Sequence, residues 1–366
     1  MKAVVVGAGI VGASTAYHLA RAGCEVTVID RADPGRATAA GAGIICPWGS
    51  PVEDAASYGL LAGGARYYPE FVAMLAADGE PDVGYAAVGG LYVPKAARDL
   101  DAVEARVRAR AKSWPVGEVE RLSADEAQAL FPPLRREQPA LYVSGGARVD
   151  GRRLARALQR ACVRHRAHFE TGSAELMVEK DRAVGVRVAG KTIEAEVVVV
   201  AAGAWAPAML APTGVRLAVA PQRGQILHLR RPPIDTARWP VLMPLNSYYL
   251  LAFEDSRVVV GATRETGSGF DYRVTAAGAA EVLNAGLAVA PGLRSWTLDE
   301  IRIGFRPLAL DEVPKLGPVP GLDNLLIGNG LGPSGLTMGP YCGLLLAQAA
   351  LGKDVDFTRF AVVERG

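Results

Sequence analysis

Residues 2–30, KAVVVGAGIVGASTAYHLARAGCEVTVID, decide the fold of the first part of this chain. An apolar run at 3–6 is followed by a glycine turn, a helical stretch to about Arg21 and a second strand-like run at 25–29. Strands this rich in β-branched residues are typical of a parallel sheet covered on both faces, and parallel strands need a crossover helix. The pattern therefore predicts a βαβ unit.

The glycine turn, Gly7-x-Gly9-x-x-Gly12, has the spacing of a dinucleotide-binding turn. Gly7 permits the tight turn, Gly9 lets the backbone approach a pyrophosphate, and Gly12 lets the helix pack closely on the strand. Asp30 ends the second strand, where a carboxylate can accept hydrogen bonds from a ribose. NAD and FAD share this fingerprint, so the turn alone leaves the dinucleotide open. The predicted cofactor contacts of this unit are Gly7, Gly9, Ile10, Val11, Gly12, Asp30 and Arg31.

The bulk composition narrows the classes of partner. The chain has 366 residues, enough for two domains, and its 40 basic and 38 acidic side chains leave a formal charge of +2. A chain this close to neutral favours a small-molecule substrate over nucleic acid. No apolar stretch reaches the ~20 residues of a membrane-spanning helix, and the apolar N-terminal run is too short for a signal sequence. A cytoplasmic protein without a transmembrane segment is expected.

Cysteines and histidines show no pattern of a disulfide framework or a metal site. The four cysteines are far apart and form no C-x-x-C pair, so they are interpreted as buried residues in a reducing compartment. The four histidines lack metal-ligand spacing, and no metal is predicted. His228 alone is expected to approach a pocket, although a packed strand histidine is the simpler interpretation.

The pattern changes beyond the first βαβ unit. Residues 58–130 are predicted to be helical, with a charged face that is most simply a solvated surface. The very apolar run at 197–200 predicts a strand buried on both faces that returns the chain to the first sheet. Alternating strand patterns between 219 and about 275 predict an antiparallel sheet. The expected fold class is α/β with an α+β substrate part: a Rossmann-like domain and a second domain built on an antiparallel sheet.

Six motifs spread over the chain carry a family resemblance. They are RATAAGAGI (36–44), ARVDG (147–151), VVVVAAGAWAP (197–207), PQRGQ (221–225), GFRP (304–307) and GLGPSGLTMGP (330–340). In this order they resemble the D-amino-acid oxidase, glycine oxidase and sarcosine oxidase superfamily of FAD enzymes, closest to glycine oxidase-like or D-amino-acid dehydrogenase-like members. The resemblance covers nearly the whole length and implies that the dinucleotide is FAD. An NAD-linked dehydrogenase, which would be colourless, is the weakest rival.

The resemblance also implies how the cofactor is held. It implies a discontinuous FAD-binding domain over 1–80, 140–215 and 305–366, and a substrate-binding domain over 81–139 and 216–304. In the family, the C-terminal glycine-rich loop brings a helix N-terminus to the flavin ring, where the helix dipole favours reduction. The further implied FAD contacts are Thr38, Ala39, Gly43, Ile44, Glu175, Ala202, Gly203, Trp205, Gly304, Arg306, Gly332, Pro333, Ser334, Gly335, Leu336 and Thr337.

Three positions depart from branches of this superfamily. Gly304 stands where sarcosine oxidase attaches its flavin through a cysteine, so noncovalent FAD is expected. Thr337 stands where sarcosine oxidase has a lysine beside the flavin. Pro333 stands where glycine oxidase has an arginine, which implies a less positive pocket. Substrates other than glycine, such as N-alkylated or cyclic amino acids, are therefore expected.

Arg306 is the first implied catalytic and substrate-binding residue. The relatives use the matching arginine for the substrate carboxylate, which a planar guanidinium can bind through two parallel hydrogen bonds. In the alternative, Arg306 braces a loop by pairing with Asp311 or Asp299.

Tyr249 matches a family tyrosine whose hydroxyl assists that arginine at the carboxylate. Tyr248 would take this place after a one-residue slip, because neighbouring strand residues face opposite sides. Trp48 and Pro333 are further candidates for the substrate pocket wall, with a core residue as the alternative for Trp48.

The implied reaction is oxidation of the C–N bond of a small amino acid or secondary amine that bears a carboxylate. A hydride passes from the carbon bearing the amine to flavin N5, and water hydrolyses the resulting imine. Reoxidation by O2 would make the protein an oxidase. A dehydrogenase that passes electrons to a quinone or carrier would share every motif, and a flavin subunit that needs a partner chain is a further alternative. The substrate, its handedness and the oligomeric state, with a homo-oligomer as one option, stay open.

Overall fold

The computed structural model describes residues 1–94 and 99–361, which form nine α-helices and 21 strands. Across those ranges no helix combines the length and the apolar character that a membrane span requires. The helices are α1 Ile10–Arg21, α2 Ala37–Ala40, α3 Ala55–Ala77, α4 Asp99–Arg110, α5 Ala124–Leu130, α6 Gly151–Arg164, α7 Ala206–Leu210, α8 Ala276–Val289 and α9 Gly335–Ala350. The strands are β1 Lys2–Val6, β2 Glu25–Asp30, β3 Ile44–Ile45, β4 Ala86–Ala87, β5 Gly90–Val93, β6 Val119–Leu122, β7 Ala140–Val143, β8 Ala147–Arg148, β9 His168–Thr171, β10 Ala174–Glu179, β11 Arg182–Val188, β12 Lys191–Glu194, β13 Val197–Val200, β14 Val219–Arg230, β15 Val241–Pro244, β16 Tyr249–Phe253, β17 Arg257–Gly261, β18 Glu265–Thr266, β19 Thr297–Ala309, β20 Lys315–Val319 and β21 Leu322–Asn329.

The first sheet has nine strands in the order β10-β11-β21-β13-β1-β2-β9, with β12 on β11 and β20 on β21. β1 lies between β13 and β2 and pairs in parallel with both. Every residue of β1 after the first is buried, as are all four valines of β13. The predicted βαβ unit and the predicted return of the chain at 197–200 are therefore confirmed, and with them the α/β fold class.

The second sheet also has nine strands, in the order β18-β14-β17-β16-β15-β5-β7-β6, with β19 on β14. Its described pairs are antiparallel except that of β15 with β5, which is parallel. The long strand β19 pairs with β14 over its whole length and sets Arg306 opposite Gln222. The antiparallel sheet predicted between 219 and 275 is confirmed, and strands from both sides extend it.

The predicted domain ranges differ from the sheets at three points. β4, in the predicted substrate-binding range, pairs with β8, in the predicted FAD-binding range. β7 lies in the second sheet, although the predicted boundary assigns 140–215 to the FAD-binding domain. β19 crosses the boundary predicted between residues 304 and 305. The parts of the predicted ranges at 95–98 and 362–366 lie outside the described residues. The domain boundaries stay a prediction.

The prediction of continuous helix over 58–130 is wrong. α3 ends at Ala77, β4 and β5 follow, and β6 separates α4 from α5. Gly79 has a φ of +82°, a conformation that terminates helices, and Pro81 lies two residues further along the chain. The sequence Leu-Tyr-Val within β5 then favours a strand.

The charged face of α4 is only partly a solvated surface. Acidic residues of α4 pair with arginines at exposed positions, as expected. Arg110 turns inward instead, and its guanidinium donates to the backbone oxygens of Trp48, Ser50 and Val52 over 2.7–2.9 Å. This arginine therefore fixes the loop that follows β3.

Small residues bring α1 and α9 into close contact. A Cβ at Gly339 would lie 2.5 Å from a methyl carbon of Ile10, and a Cβ at Gly343 would lie 2.5 Å from the Cβ of Ser14. The hydroxyl of Ser14 also donates to the carbonyl of Pro340 at 2.8 Å. Because any larger side chain would force the helices apart, the N-terminal ends of α1 and α9 lie side by side.

Pro340 interrupts the hydrogen-bond ladder of α9. It has no N–H, so the carbonyl of Leu336, four residues earlier, lacks its helical donor. The hydroxyl of Tyr68 on α3 donates to this oxygen at 2.5 Å. A residue of α3 therefore completes the first turn of α9.

Acidification is expected to destabilise the protein partly through His18 on α1. The ring is buried, and burial, with a smaller effect of the Arg21 charge, lowers its pKa from 6.5 to about 4. Below pH 6.5 the unfolded chain binds a proton that the folded state does not. The stability contributed by the neutral ring is therefore present above pH 6.5 and is lost as the pH falls towards 4. The slope is at most ~1.4 kcal/mol per pH unit.

Substitution of His18 by glutamine tests this expectation. His18→Gln keeps a polar partner for the hydroxyl of Tyr67, which lies 3.0 Å from Nε2, but it does not titrate. Denaturant unfolding of the cofactor-bound protein between pH 4 and pH 7 should give a flatter dependence of the unfolding free energy on pH in the variant. If the unfolding free energy had the same dependence on pH in the two proteins, the pKa of His18 would not be lowered in the folded state.

Candidate active site

A large cavity of about 1410 Å³ is lined by residues of both nine-stranded sheets. It extends from the glycine turn after β1 to Arg306 on β19. Its volume exceeds the ~300–1,000 Å³ that is typical of a small-ligand pocket. The cavity therefore has room for a dinucleotide together with a small second molecule.

The glycine turn forms one end of the cavity. Gly7 has a φ of +104°, which L side chains rarely adopt, and a Cβ there would collide with the carbonyl of Ala201. α1 begins after Gly9 without a side-chain cap, so the amides of its first turn lack intrahelical partners. One of them, that of Ile10, donates to Oγ1 of Thr38 at 2.9 Å. The others, at the positive end of the helix dipole, favour an anionic group such as a pyrophosphate.

Asp30 lies at the cavity but also holds the turn itself. Its Oδ2 accepts from the amide of Ala8 at 2.7 Å, and its Oδ1 accepts from the amide of Ala32 at 2.7 Å and from Arg36 at 3.2 Å. A carboxylate oxygen can accept more than one hydrogen bond. Its predicted contact with a ribose stays a prediction, and its structural role in the turn is additional to that.

Residues after β13 form a second part of the cavity wall. Gly203 has a φ of +54°, and a Cβ there would meet no atom within 4 Å, so open space lies over its backbone. Asn329 fixes this turn, because its Nδ2 donates to the carbonyl of Gly203 at 2.9 Å. Trp205 stacks on Phe270 with ring centroids 5.0 Å apart. Asn329 is missing from the predicted contacts, although its position at the end of β21, beside β13, could have indicated it.

The C-terminal glycine-rich loop brings a second helix end to the cavity. A short turn, Gly332–Ser334, leads into α9, whose first residue, Gly335, follows Ser334 without a side-chain cap. Oγ1 of Thr337 donates to the carbonyl of Ile44 at 2.7 Å and ties the first turn to β3. α9 therefore presents the positive end of its dipole in the same way as α1.

Most of the predicted cofactor contacts line the cavity, but two do not. Gly12 lies behind the turn, where a Cβ would collide with the carbonyl of Gly7, so it serves the close packing predicted for it and not the cavity surface. The carbonyl of Ala39 accepts from Nε of Arg152 at 3.0 Å, so this residue faces α6. The predicted contacts that do line the cavity are Gly7, Gly9, Ile10, Val11, Asp30, Arg31, Thr38, Gly43, Ile44, Glu175, Ala202, Gly203, Trp205, Gly304, Arg306, Gly332, Pro333, Ser334, Gly335, Leu336 and Thr337.

Arg306 and Tyr249 meet at the other end of the cavity. Nη1 of Arg306 donates to the carbonyl of Thr263 at 3.0 Å, and the guanidinium lies close enough to Tyr249 for its charge to act on the pKa of that hydroxyl. Two glycines leave room for these side chains. A Cβ at Gly224 would lie 2.6 Å from Nη1 of Arg306, and a Cβ at Gly261 would lie 2.6 Å from the ring of Tyr249.

This pair presents a cation and a neutral hydroxyl. Burial lowers the pKa of Arg306, but a guanidinium stays charged in proteins. Burial raises the pKa of Tyr249, so its phenol keeps its proton at neutral pH. The alternative in which an acid braces Arg306 does not occur, because Asp311 pairs with Lys315 and Asp299 pairs with Arg230.

Comparison with known proteins identifies the protein family and, with it, the cofactor that these residues fit. The FAD dependent oxidoreductase family matches residues 2–349. The chain belongs to this family. The positive φ of Gly7, the uncapped starts of α1 and α9 and the open backbone at Gly203 together form a cradle that suits FAD.

Three relatives of this FAD-dependent oxidoreductase cover almost its whole length. An uncharacterised oxidoreductase of Bacillus subtilis is 46% identical over 355 residues, which cover 96% of this chain and 95% of that protein. A glycine oxidase of Pseudomonas aeruginosa is 34% identical over 367 residues, with coverage of 96% and 95%. The crystal structure of an iminodiacetate oxidase from Chelativorans sp. is 49% identical, covers 100% of both chains and superimposes with a TM-score of 0.97.

The FAD of this oxidoreductase is held noncovalently. Cys46 lines the cavity, but burial raises the pKa of its thiol to about 12, so it is a neutral group beside Tyr92. Gly304 packs against Ala40, where a Cβ would lie 2.6 Å from the Cβ of that residue. Within 1–94 and 99–361, no cluster of three or more His, Cys, Asp or Glu side chains could hold a metal ion.

Three residues considered for the substrate pocket lie elsewhere in this FAD-dependent oxidoreductase. The hydroxyl of Tyr248 donates to a glutamate of α8 at 2.7 Å, on the side of β16 opposite to Tyr249. Trp48 is buried in the core, and its indole N–H donates to a backbone carbonyl at 2.7 Å. His228 is a packed strand residue beside Arg257, and burial lowers its pKa to about 3. Tyr248 and Trp48 therefore do not line the cavity, and the structure gives no support to Tyr248 in the place of Tyr249 or to Trp48 in the pocket wall.

The expectation of a less positive pocket is incomplete for this oxidoreductase. Pro333 lines the cavity, but so does Arg264, which directly follows the residue whose carbonyl binds Arg306. Arg264 is missing from the predicted site. Its position in the sequence could have indicated it. Arg264 comes immediately after the Gly-Ala-Thr run at 261–263, and Gly261 of this run pairs with Tyr249 between β17 and β16.

Proposed function

We propose that the protein oxidises the C–N bond of a small amino acid or secondary amine that bears a carboxylate, with O2 as the electron acceptor. The observation that carries the proposal is Arg306, a charged guanidinium that faces the FAD cavity without a carboxylate partner among the described residues. A desolvated cation in a cavity is stabilised by an anionic ligand.

The chain's own residues supply orientation. Nη1 of Arg306 is engaged by Thr263, which fixes the plane of the guanidinium and leaves its other N–H groups for a carboxylate. The neutral hydroxyl of Tyr249 lies beside this guanidinium and can donate to the same carboxylate. When bound, FAD accepts the hydride from the carbon that carries the amine.

The described cavity lining contains neither lysine nor histidine. The reaction therefore depends on positioning the substrate, which can supply much of a rate enhancement without a dedicated base. The names of two relatives support the substrate class. One is a glycine oxidase, and the other, an iminodiacetate oxidase, acts by its name on a secondary amine with carboxylates.

Anaerobic reduction of the flavin tests the proposal. The purified protein with its bound FAD is mixed without air with D-, L-, cyclic and N-substituted amino acids, and the visible flavin absorbance is followed. We expect at least one carboxylate-bearing amine to bleach the flavin, whereas the matched amine without a carboxylate, dimethylamine in place of N-methylglycine, should not. Admission of air should restore the colour and form hydrogen peroxide.

Each part of the proposal has its own contrary result. Bleaching by dimethylamine as fast as by N-methylglycine would contradict the role of the carboxylate. Colour that returns with a quinone but not with air would show a dehydrogenase and overturn the choice of O2. Failure of every amine to bleach the flavin of the isolated protein would sink the proposed activity, and a requirement for a partner chain would then explain it.

A further inference from the structure

Five arginines of the described residues line the cavity, and they differ in how their charges are balanced. They are Arg31, Arg36, Arg264, Arg306 and Arg359. Three of them form ion pairs. The N–O distance is 2.6 Å from Arg31 to Asp33, 3.2 Å from Arg36 to Asp30 and 3.0 Å from Arg359 to Asp54. The other two, Arg264 and Arg306, have no carboxylate within 4.0 Å among the described residues.

These two unbalanced arginines share one end of the cavity. Arg264 follows Thr263, whose carbonyl binds Nη1 of Arg306 at 3.0 Å. The charge of Arg264 also acts on both Arg306 and Tyr249. Arg264 is exposed, with its guanidinium free of any ion pair to the described residues, whereas Arg306 is more buried. The cavity thus has a cation at its inner end and a second cation nearer to solvent.

The acids beside Arg264 are already engaged. Glu265, the next residue, pairs with Arg223 and accepts at 2.7 Å from both Gln225 and Thr263. Glu281 on α8 accepts from the hydroxyl of Tyr248 at 2.7 Å. Because like charges that face one cavity repel each other, the two guanidinium groups favour a ligand that brings two negative charges.

We propose that Arg264 binds a second carboxylate of the substrate, so that the preferred substrates are secondary amines with a carboxylate on each arm. This inference rests on the proposed function, in which Arg306 and Tyr249 bind the carboxylate next to the carbon that is oxidised. Arg264 binds the carboxylate of the other arm. Arg264 therefore supplies a positive charge to the pocket from a different part of the chain, whereas Pro333 supplies none.

The reaction balances with this assignment. A C–H bond of the arm held by Arg306 breaks, its hydride is accepted by FAD, and the amine proton leaves to solvent. Water then adds to the C=N bond, and cleavage of the C–N bond gives an oxo acid from the oxidised arm and a primary amino acid from the other. The primary amino acid carries the carboxylate that Arg264 holds, and it lacks the second carboxylate that binds at Arg306 in the substrate.

A specificity ratio tests the inference. kcat/KM is measured for iminodiacetate and for N-methylglycine, which differ by one carboxylate, in the FAD-bound unsubstituted protein and in Arg264→Gln. We expect the ratio of iminodiacetate to N-methylglycine to fall about tenfold in the variant, mainly through KM, since one charge-assisted hydrogen bond is lost. Arg264→Lys should restore part of the ratio, and added salt should reduce it in the unsubstituted protein.

A matched control and two contrary outcomes complete the test. Arg238 is also exposed but lies outside the cavity, so Arg238→Gln should leave the ratio as it is in the unsubstituted protein. An unchanged ratio in Arg264→Gln, with both amines still bleaching the flavin, would overturn the inference and leave the proposed function intact. If other amines of the panel bleach the flavin but neither of these two does, the inference fails and the proposed function stands. If no amine of the panel bleaches it, the proposed function fails and the inference fails with it.

Discussion

Replacement of Arg306 by alanine is expected to lower kcat/KM for carboxylate-bearing amines by about 10- to 150-fold. The variant loses charge-assisted hydrogen bonds worth roughly 1.5–3 kcal/mol, and it leaves the substrate carboxylate opposite a neutral wall. A rise in KM should account for most of the loss, because the contact exists before the chemical step as well as during it. Steady-state kinetics on protein with a matched FAD content measures the change.

Two further variants separate carboxylate binding from a structural role of this arginine. Arg306→Lys keeps the charge but not the planar fork, so its loss should be smaller than that of the alanine variant. Arg302 lies on the same strand, pairs with Glu300 at 2.7 Å and does not line the cavity, so Arg302→Ala should leave kcat/KM unchanged. If Arg302→Ala and Arg306→Ala lowered kcat/KM equally, the loss would come from a disturbance of β19 and not from a lost contact with the substrate carboxylate.

Replacement of Asp150 by alanine is expected to destabilise the fold by about 3–5 kcal/mol. Its Oδ1 caps α6 by accepting from the amides of Arg152 and Arg153 at 2.9 and 3.1 Å, and its Oδ2 accepts from Arg257 on β17 at 2.9 Å. Burial alone would raise the pKa of Asp150, but these donors outweigh it and hold the pKa below its usual range. The variant removes the helix cap and leaves a buried guanidinium without this partner.

Denaturant unfolding with saturating FAD measures this cost. Ser123→Ala provides the matched control, because it removes the capping side chain of α5 at an exposed site without a buried charge, and it should cost only about 1 kcal/mol. The double variant Asp150→Ala with Arg257→Met should lose less than the sum of the two single variants. A cost of Asp150→Ala no greater than that of Ser123→Ala would mean that the buried pair adds nothing to stability.

Local patterns explain why much of the FAD-binding part could be predicted. Gly7, Gly9 and the β-branched run before them act on neighbouring residues, so their spacing in sequence is their spacing in space. The same holds for the loop at 332–337, which opens a helix directly. Asp30 shows the limit of such patterns, because its hydrogen bonds to the turn depend on a register between β1 and β2 that spacing alone does not define.

The substrate end was harder to predict because it is assembled from distant strands. Arg306 and Tyr249 could be placed through the resemblance, but Arg264 reaches the cavity only because β14 lies beside β17, β18 and β19 at once. The prediction that Trp48 forms part of the pocket wall lacks support for the converse reason. Trp48 is close in sequence to residues that line the cavity, but its ring is buried in the core. Alternation along β16 correctly separates Tyr249 from Tyr248, once the pairing with β17 is known.

The hydrogen bond that the hydroxyl of Tyr68 donates to α9 connects α3 to the helix end that lies at the cofactor site. The amides at the start of α9 set the local field, and their direction is anchored by a side chain on α3 that is absent from the cavity lining. Pro340 makes this anchoring necessary by removing one internal bond of the helix. A change at Tyr68 would therefore act on the start of α9 from behind, through the carbonyl of Leu336, without removing a side chain from the cavity wall.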